Sequence, residues 1–183
     1  CDSKERSHKM TQLNTITWLF PILFMLHDFE EIILLEAWQK SCKQDLKNKK
    51  LKRIIFSNCN NTPAFSIAVA IEFLLISLIA LITTLTQNYY VWYALFFAFT
   101  LHLILHCAII FPYKHYVPGV ITAILLLPIN IYILFMLLSL LPLTPLALII
   151  TCLSGTTAML LLLKALHKYM HLFELTINNF TPQ

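Results

Sequence analysis

Apolar residues occur along this chain in long runs, and polar or charged residues gather between the runs. About 20 apolar residues in a row are enough to cross a bilayer as a helix, and five segments of this kind recur along the sequence. They predict helices over residues 14–39, 63–86, 89–111, 118–140 and 145–167. The expected fold class is therefore all-α, a polytopic membrane helix bundle of about five transmembrane helices.

The same pattern divides the chain into three parts. Residues 1–13 form a predicted tail, residues 14–167 a transmembrane domain, and residues 168–183 a second tail. The connections between helices are short, except for a basic loop at residues 40–62. Pro63, Pro118 and Pro145 are expected in the first turns of their helices, where the missing N–H costs little.

Composition and charge support a membrane protein. The chain is 58% hydrophobic and only 12% charged, whereas soluble domains are about a quarter charged. Its net charge of +4 comes mainly from one loop, because seven of the thirteen basic residues lie between Lys40 and Arg53. Basic loops between spans mark the cytosolic side, so the charge requires no nucleic acid. The N-terminus is predicted outside and the C-terminus in the cytosol.

The first span holds the stretch LHDFEEIILLEAW at residues 26–38. His27, Glu30 and Glu31 are spaced i, i+3 and i+4, so they share one helical face. Asp28 lies about 100° away around the helix. Ionisable side chains inside a membrane are costly and are usually paired or functional, so this face is expected to have partners elsewhere in the bundle.

The expected partners lie on the second and third spans. Glu72 is on the second, and His102 and His106 form an i, i+4 pair on the third. Counted from the cytosolic helix ends at about 1.5 Å per residue, all these groups lie about 7–16 Å deep. They are therefore predicted to offset one another, with or without a metal. A purely structural polar network is the alternative.

Histidines and carboxylates on facing helices are typical of metal sites in helical bundles. This ligand type suits zinc, iron or manganese, and Glu30 and Glu31 are also candidate catalytic bases. The zinc-protease pattern HExxH, a nucleophile beside a base and a glycine-rich phosphate loop are all absent. The candidate metal ligands are His27, Glu30, Glu31, Glu72, His102 and His106.

Three motifs resemble the HXXEE domain family of small bacterial integral membrane proteins. They are HDFEE at 27–31, a later intramembrane histidine (His102 or His106) and YVPG at 116–119. The resemblance implies a multi-helix fold in the bacterial inner membrane, but it supplies no activity. It singles out His27, Glu30, Glu31, the later histidine, Tyr116, Pro118 and Gly119.

The YVPG motif can also be interpreted from physical arguments, independently of the family resemblance. Tyr116 is expected at the membrane interface, where its hydroxyl could bind a ligand or substrate as a candidate catalytic group. Pro118 would begin the fourth helix, and Gly119 would allow close backbone approach. The alternative is a helix start with an interfacial anchor.

Three classes of function fit these features. The leading hypothesis is a metal-dependent membrane hydrolase or oxidoreductase, acting from the cytosolic leaflet on a lipid-soluble or membrane-inserted substrate. The second is a small proton- or metal-ion-coupled transporter or binding protein. The third is a non-enzymatic membrane interaction protein, in which the polar groups only hold the fold. Membrane lipids are expected partners in each case, nucleic acid in none, and a homodimer remains open.

Overall fold

A computed structural model describes residues 2–41, 62–140 and 144–180, and this part of the chain is helical. The predicted all-α membrane helix bundle is confirmed. The predicted basic loop falls mostly on residues 42–61, outside the described residues. The described helices are α1 Asp2–Ser41, α2 Thr62–Thr86, α3 Tyr90–Tyr113, α4 Val120–Leu140 and α5 Pro145–Phe180.

The helix ends differ from the prediction at three places. Helix α1 begins at Asp2 rather than at residue 14, and α5 continues to Phe180 rather than ending at residue 167. Extending an existing helix costs far less than nucleating one, so polar flanking residues can continue it. Helix α4 begins at Val120. Pro118 therefore lies in the turn before this helix and not in its first turn.

Four of the described helices are long and apolar enough to cross a membrane: α2, α3, α4 and the part of α5 up to Met170. Their outer surfaces are apolar, with Leu85 74%, Phe111 81% and Phe135 69% exposed. Large apolar surfaces of this kind suit lipid better than water. Helix α1 is more polar than the other four, and its crossing of the membrane stays a prediction, as does the orientation of the chain.

The helices pack so that α1 lies between α2 and α4, while α3 lies between α4 and α5. Helix α5 also packs against α2, which closes the ring of helices. Helix α3 makes smaller contacts with α1 and α2 as well. The faces of α1 and α3 that carry the predicted polar residues are thereby brought together inside the bundle.

An aromatic core joins α1 to α3 and consists of Phe20, Trp92, Phe96 and Phe99. The Phe20 ring centroid lies 5.8 Å from Trp92, 5.2 Å from Phe96 and 5.6 Å from Phe99. Trp92 Nε1 also donates a hydrogen bond of 3.0 Å to the Thr17 carbonyl oxygen. These contacts set the rotation of α1 against α3, and the polar site begins immediately beside Phe99.

Candidate metal centre

Two pairs of side chains converge between α1 and α3. His27 and Glu31 come from α1, and His102 and His106 come from α3; we call these four residues the His/Glu cluster. One potential ligand atom from each residue lies within 4.8 Å of the others. Each pair has i, i+4 spacing, so each helix presents both of its side chains on one face. Two helices thus supply three imidazoles and one carboxylate.

The distances within the His/Glu cluster suit a single ion. His106 Nε2 lies 2.8 Å from Glu31 Oε1, and His27 Nε2 lies 3.6 Å from the same oxygen. Ligand atoms about 2 Å from a tetrahedral zinc ion are separated by roughly 3.3 Å. His27, Glu31 and His106 are buried, and His102 is half-buried. The residues present therefore fit a divalent metal.

The hydrogen bonds of His27 leave its Nε2 free to act as a ligand. Its Nδ1 lies 3.0 Å from Thr122 Oγ1. The Thr122 hydroxyl donates its proton to Glu30 Oε2 at 2.6 Å, so it accepts from His27 Nδ1–H. Nε2 then carries a lone pair, and this buried atom has no hydrogen-bond partner among the residues that the structure describes. A metal-binding histidine is commonly held in this way, with its second nitrogen donating to a neighbouring group.

Glu30 lies outside the His/Glu cluster and binds the start of α4. Its carboxylate accepts hydrogen bonds from the backbone N–H groups of Ile121 and Thr122, at 3.2 Å and 2.7 Å. The Tyr116 hydroxyl donates a further bond of 2.5 Å. A carboxylate is favoured at a helix N-terminus, where unpaired N–H groups and the helix dipole both attract it. Glu30 thus supports His27 through Thr122.

The YVPG turn closes one side of the His/Glu cluster. Gly119 has φ +88°, a conformation that side-chain-bearing residues rarely adopt, and a Cβ there would lie 2.8 Å from both Glu31 Oε1 and His106 Nδ1. Trp38 Nε1 donates to the Tyr116 carbonyl oxygen at 2.7 Å. Burial, and then the Glu30 carboxylate, raise the pKa of the Tyr116 hydroxyl. The motif therefore contacts the cluster through its glycine and Glu30 through its tyrosine.

A cavity of about 200 Å³ adjoins the His/Glu cluster, and Glu31, His102 and His106 form part of its wall. Two more acids line it, Asp28 from α1 and Glu72 from α2, and both are buried. The remaining wall is almost wholly apolar and comes from α1, α2, α3 and α5. Three residues of the His/Glu cluster therefore face a cavity that combines five ionisable side chains with an otherwise apolar wall.

The structure divides the predicted site residues into three groups. Four of the predicted metal ligands form the His/Glu cluster. Glu72 lines the adjoining cavity. Tyr116, Pro118 and Gly119 belong to the turn beside the cluster, and Glu30, on α1, accepts hydrogen bonds from Tyr116 and from the start of α4. Sequence reasoning missed Thr122, because a threonine inside an apolar helix carries no recognisable signal. It also assigned no role to Asp28, which lines the cavity.

Comparison with known proteins matches one family model to most of the chain. A family model described as a protein of unknown function with HXXEE motif matches residues 18–133. This range contains every residue of the His/Glu cluster together with Glu30, Glu72 and the YVPG turn. No curated protein and no solved structure matches the chain.

Proposed function

Since this chain belongs to the HXXEE family, whose function is unknown, we propose a function from the geometry of its site: a metal-dependent integral membrane enzyme. The observation that carries the proposal is the unpartnered Nε2 of His27, which lies 3.6 Å from Glu31 Oε1 inside the His/Glu cluster. Buried polar atoms normally have partners. A divalent ion would provide one for this nitrogen and for the ligand atoms around it.

The residues of the His/Glu cluster would hold zinc, iron or manganese, in keeping with their imidazole and carboxylate ligands. Such an ion supplies Lewis-acid chemistry, by activating water or polarising a carbonyl group. Glu30 orients His27 through Thr122, and Gly119 leaves room for the Glu31 and His106 side chains. Asp28 and Glu72 line the cavity beside the cluster and are not among its four candidate ligands.

The apolar wall of the cavity favours a lipid-soluble or membrane-inserted substrate. Molecules of this class would reach the site through the bilayer. In keeping with the family resemblance, we place the protein in the bacterial inner membrane, with membrane lipids around it. The basic loop at residues 40–62 favours a site that opens toward the cytosolic leaflet. Zinc would limit the site to hydrolysis or other Lewis-acid chemistry, because zinc has no redox chemistry, whereas iron or manganese would support either hydrolysis or oxidation–reduction.

Elemental analysis and melting of detergent-purified protein test this proposal. Wild type should carry about one zinc, iron or manganese ion per chain. A strong chelator should lower its melting temperature, because an ion that binds only the folded state stabilises that state. Glu31→Gln keeps the size of the side chain but removes the anionic ligand. This variant should melt near chelated wild type and respond little to chelator.

The matched control is Glu36→Gln, on the same helix. Glu36 is exposed, and within the described part of the chain it pairs only with Lys40, at 2.6 Å, so this variant should keep its metal and its response to chelator. Metal-free wild type whose melting is insensitive to both chelator and Glu31→Gln would contradict the enzyme proposal. That result would favour a transporter or a structural role.

A further inference from the structure

The cavity beside the His/Glu cluster carries two carboxyl groups that the proposed metal site does not use. Asp28 is 6% exposed and Glu72 is 7% exposed, and both line the cavity. They come from α1 and α2, and they lie near enough for their charges to interact. An acid in an apolar wall is costly unless a partner offsets it. These two acids therefore require an explanation of their own.

Asp28 lines the cavity and has a buried carboxyl oxygen without a hydrogen-bond partner among the described residues. This oxygen is Oδ2. Among those residues no lysine or arginine lines the cavity, and its only other polar side chains are Glu31, His102 and His106. The wall between Asp28 and Glu72 thus offers carboxyl oxygens as hydrogen-bond acceptors, with no lysine or arginine among the described lining residues to pair with them. It would attract a group that carries positive charge and donates hydrogen bonds.

A second cavity, of about 130 Å³, extends the space available on the far side of Glu72. Glu72 and Met159 line both cavities. Every other residue of the second wall is apolar, including Phe20, Ile76 and Leu95. A molecule with its polar end at the two acids would therefore find a hydrocarbon surface next to it. A molecule that suits both surfaces would have a charged group at one end and an apolar tail at the other, so it would be an amphiphile.

We propose that these cavities bind an amphiphilic amine, with its ammonium group between Asp28 and Glu72 and its hydrocarbon tail in the second cavity. The ammonium group would donate hydrogen bonds to both carboxylates, and the carbon next to it would lie beside the His/Glu cluster. This inference rests on the proposed function, because it names the substrate class of the same site.

Binding of three probes with the same tail tests the inference: decylamine, decanol and decanoate. Native mass spectrometry of protein released from lipid nanodiscs counts the bound probe, and empty nanodiscs correct for partitioning into lipid. Hydrogen bonds to charged groups contribute about 1.5–3 kcal/mol. Wild type should therefore bind decylamine at least about tenfold more tightly than decanol, and decanoate most weakly.

Asp28→Asn and Glu72→Gln, which preserve side-chain size, should each reduce the preference for the amine, and the double variant should abolish it. Glu36→Gln is the control and should retain the wild-type preference. Equal binding of decylamine and decanol by wild type would overturn the inference, and so would a preference that survives in the folded double variant. Melting curves identify any variant that fails to fold, and either single variant then carries the test.

Metal content measured in the same samples separates this inference from the proposed function. Protein that carries its metal but shows no preference for decylamine overturns the amine site alone. Protein that carries no metal but prefers decylamine, with the preference lost in the double variant, supports the amine site while contradicting the metal centre.

Discussion

Two regions on the same pair of helices, α1 and α3, are equally buried but differ in how their polar atoms are satisfied. In the aromatic core, Phe20, Phe96 and Trp92 are 0–1% exposed, and the one polar atom of Trp92 has a hydrogen bond. In the His/Glu cluster, His27 is 0% exposed, yet its Nε2 has no partner. Burial alone therefore does not distinguish packing from function.

The comparison shows that the rings that stabilise the fold and the residues proposed to bind a ligand lie in separate segments of the same two helices, α1 and α3. The aromatic core fills its space with rings, as stable interiors do. The His/Glu cluster instead leaves buried nitrogen and oxygen atoms without hydrogen-bond partners among the described residues, which costs stability unless a ligand satisfies them. Substitutions in the aromatic core should reduce stability and leave metal affinity unchanged. Substitutions around the His/Glu cluster should reduce metal affinity and leave the stability of the metal-free protein almost unchanged.

The largest effect is expected from Trp92→Ala in the aromatic core. Removing this ring leaves a cavity and an unpaired Thr17 carbonyl, so the free energy of unfolding should fall by about 3–5 kcal/mol. Denaturant unfolding in detergent measures the loss. Trp18→Ala is the matched control, because Trp18 is 42% exposed, and it should cost far less. The separation of the two regions would fail if folded Trp92→Ala protein had lost its metal.

The two glycines should give the next largest effects, of opposite kinds. In Gly119→Ala the new methyl group displaces Glu31 and His106 and strains the backbone, so metal affinity should fall by about a hundredfold or more. In Gly155→Ala the methyl group would lie 2.5 Å from the Ala94 Cβ atom. That contact should push α5 away from α3 and lower stability by about 1–3 kcal/mol, with metal affinity retained.

Metal titration and denaturant unfolding of both glycine variants check this contrast. Metal bound normally by Gly119→Ala would show that the YVPG turn does not shape the site.

A smaller effect is expected from Thr122→Val, which removes the hydroxyl between Glu30 and His27. Losing such a supporting hydrogen bond typically lowers metal affinity by about 10–100-fold. Competition with a metal-sensitive dye measures it, and Thr122→Ser should restore most of the affinity. Thr17→Val is the control, because the buried Thr17 hydroxyl bonds only to the Leu13 carbonyl within α1. Equal affinities of Thr122→Val and wild type would argue against the Glu30–Thr122–His27 chain.

The smallest effect is expected from Tyr116→Phe, which removes one of several hydrogen bonds to Glu30. Tyr116 is 38% exposed, so the loss should be about 1 kcal/mol or less in stability and less than tenfold in metal affinity. Burial and the Glu30 carboxylate raise the pKa of Tyr116 and keep its hydroxyl protonated, so the difference between variant and wild type should not change with pH between about 6 and 10. A larger loss than that of Thr122→Val would give Tyr116 a direct part in the site.

Much of the fold followed from apolar runs, because segments long enough to cross a bilayer have few alternatives to helix. The ends of α1 and α5 did not follow, since polar residues beyond a span are equally compatible with helix and with coil. The pairing of His27 with Glu31 and of His102 with His106 followed from i, i+4 spacing. Sequence spacing places residues on a face, but it does not show which neighbouring helix that face meets.

The adjacent acids Glu30 and Glu31 illustrate this limit. They lie about 100° apart on the helix, so one can contact α3 while the other contacts α4. Only the rotation of α1 within the bundle decides which of them faces the histidines. That rotation depends on contacts such as those of Phe20 with Trp92 and Phe96, which join residues far apart in the sequence. The separate positions of Glu30 and Glu31 therefore needed the structure.

Helix α5 forms one wall of the cavity beside the His/Glu cluster, and this wall can vary between related proteins. Met159, Leu163, Leu166 and Met170 supply that wall, and all four lie beyond residues 18–133, the range that the family description covers. The ligands and the surface opposite them thus belong to separate stretches of chain. Exchanging α5 alone would alter the shape of the cavity while leaving the His/Glu cluster in place, so the cavity wall can evolve separately from the cluster.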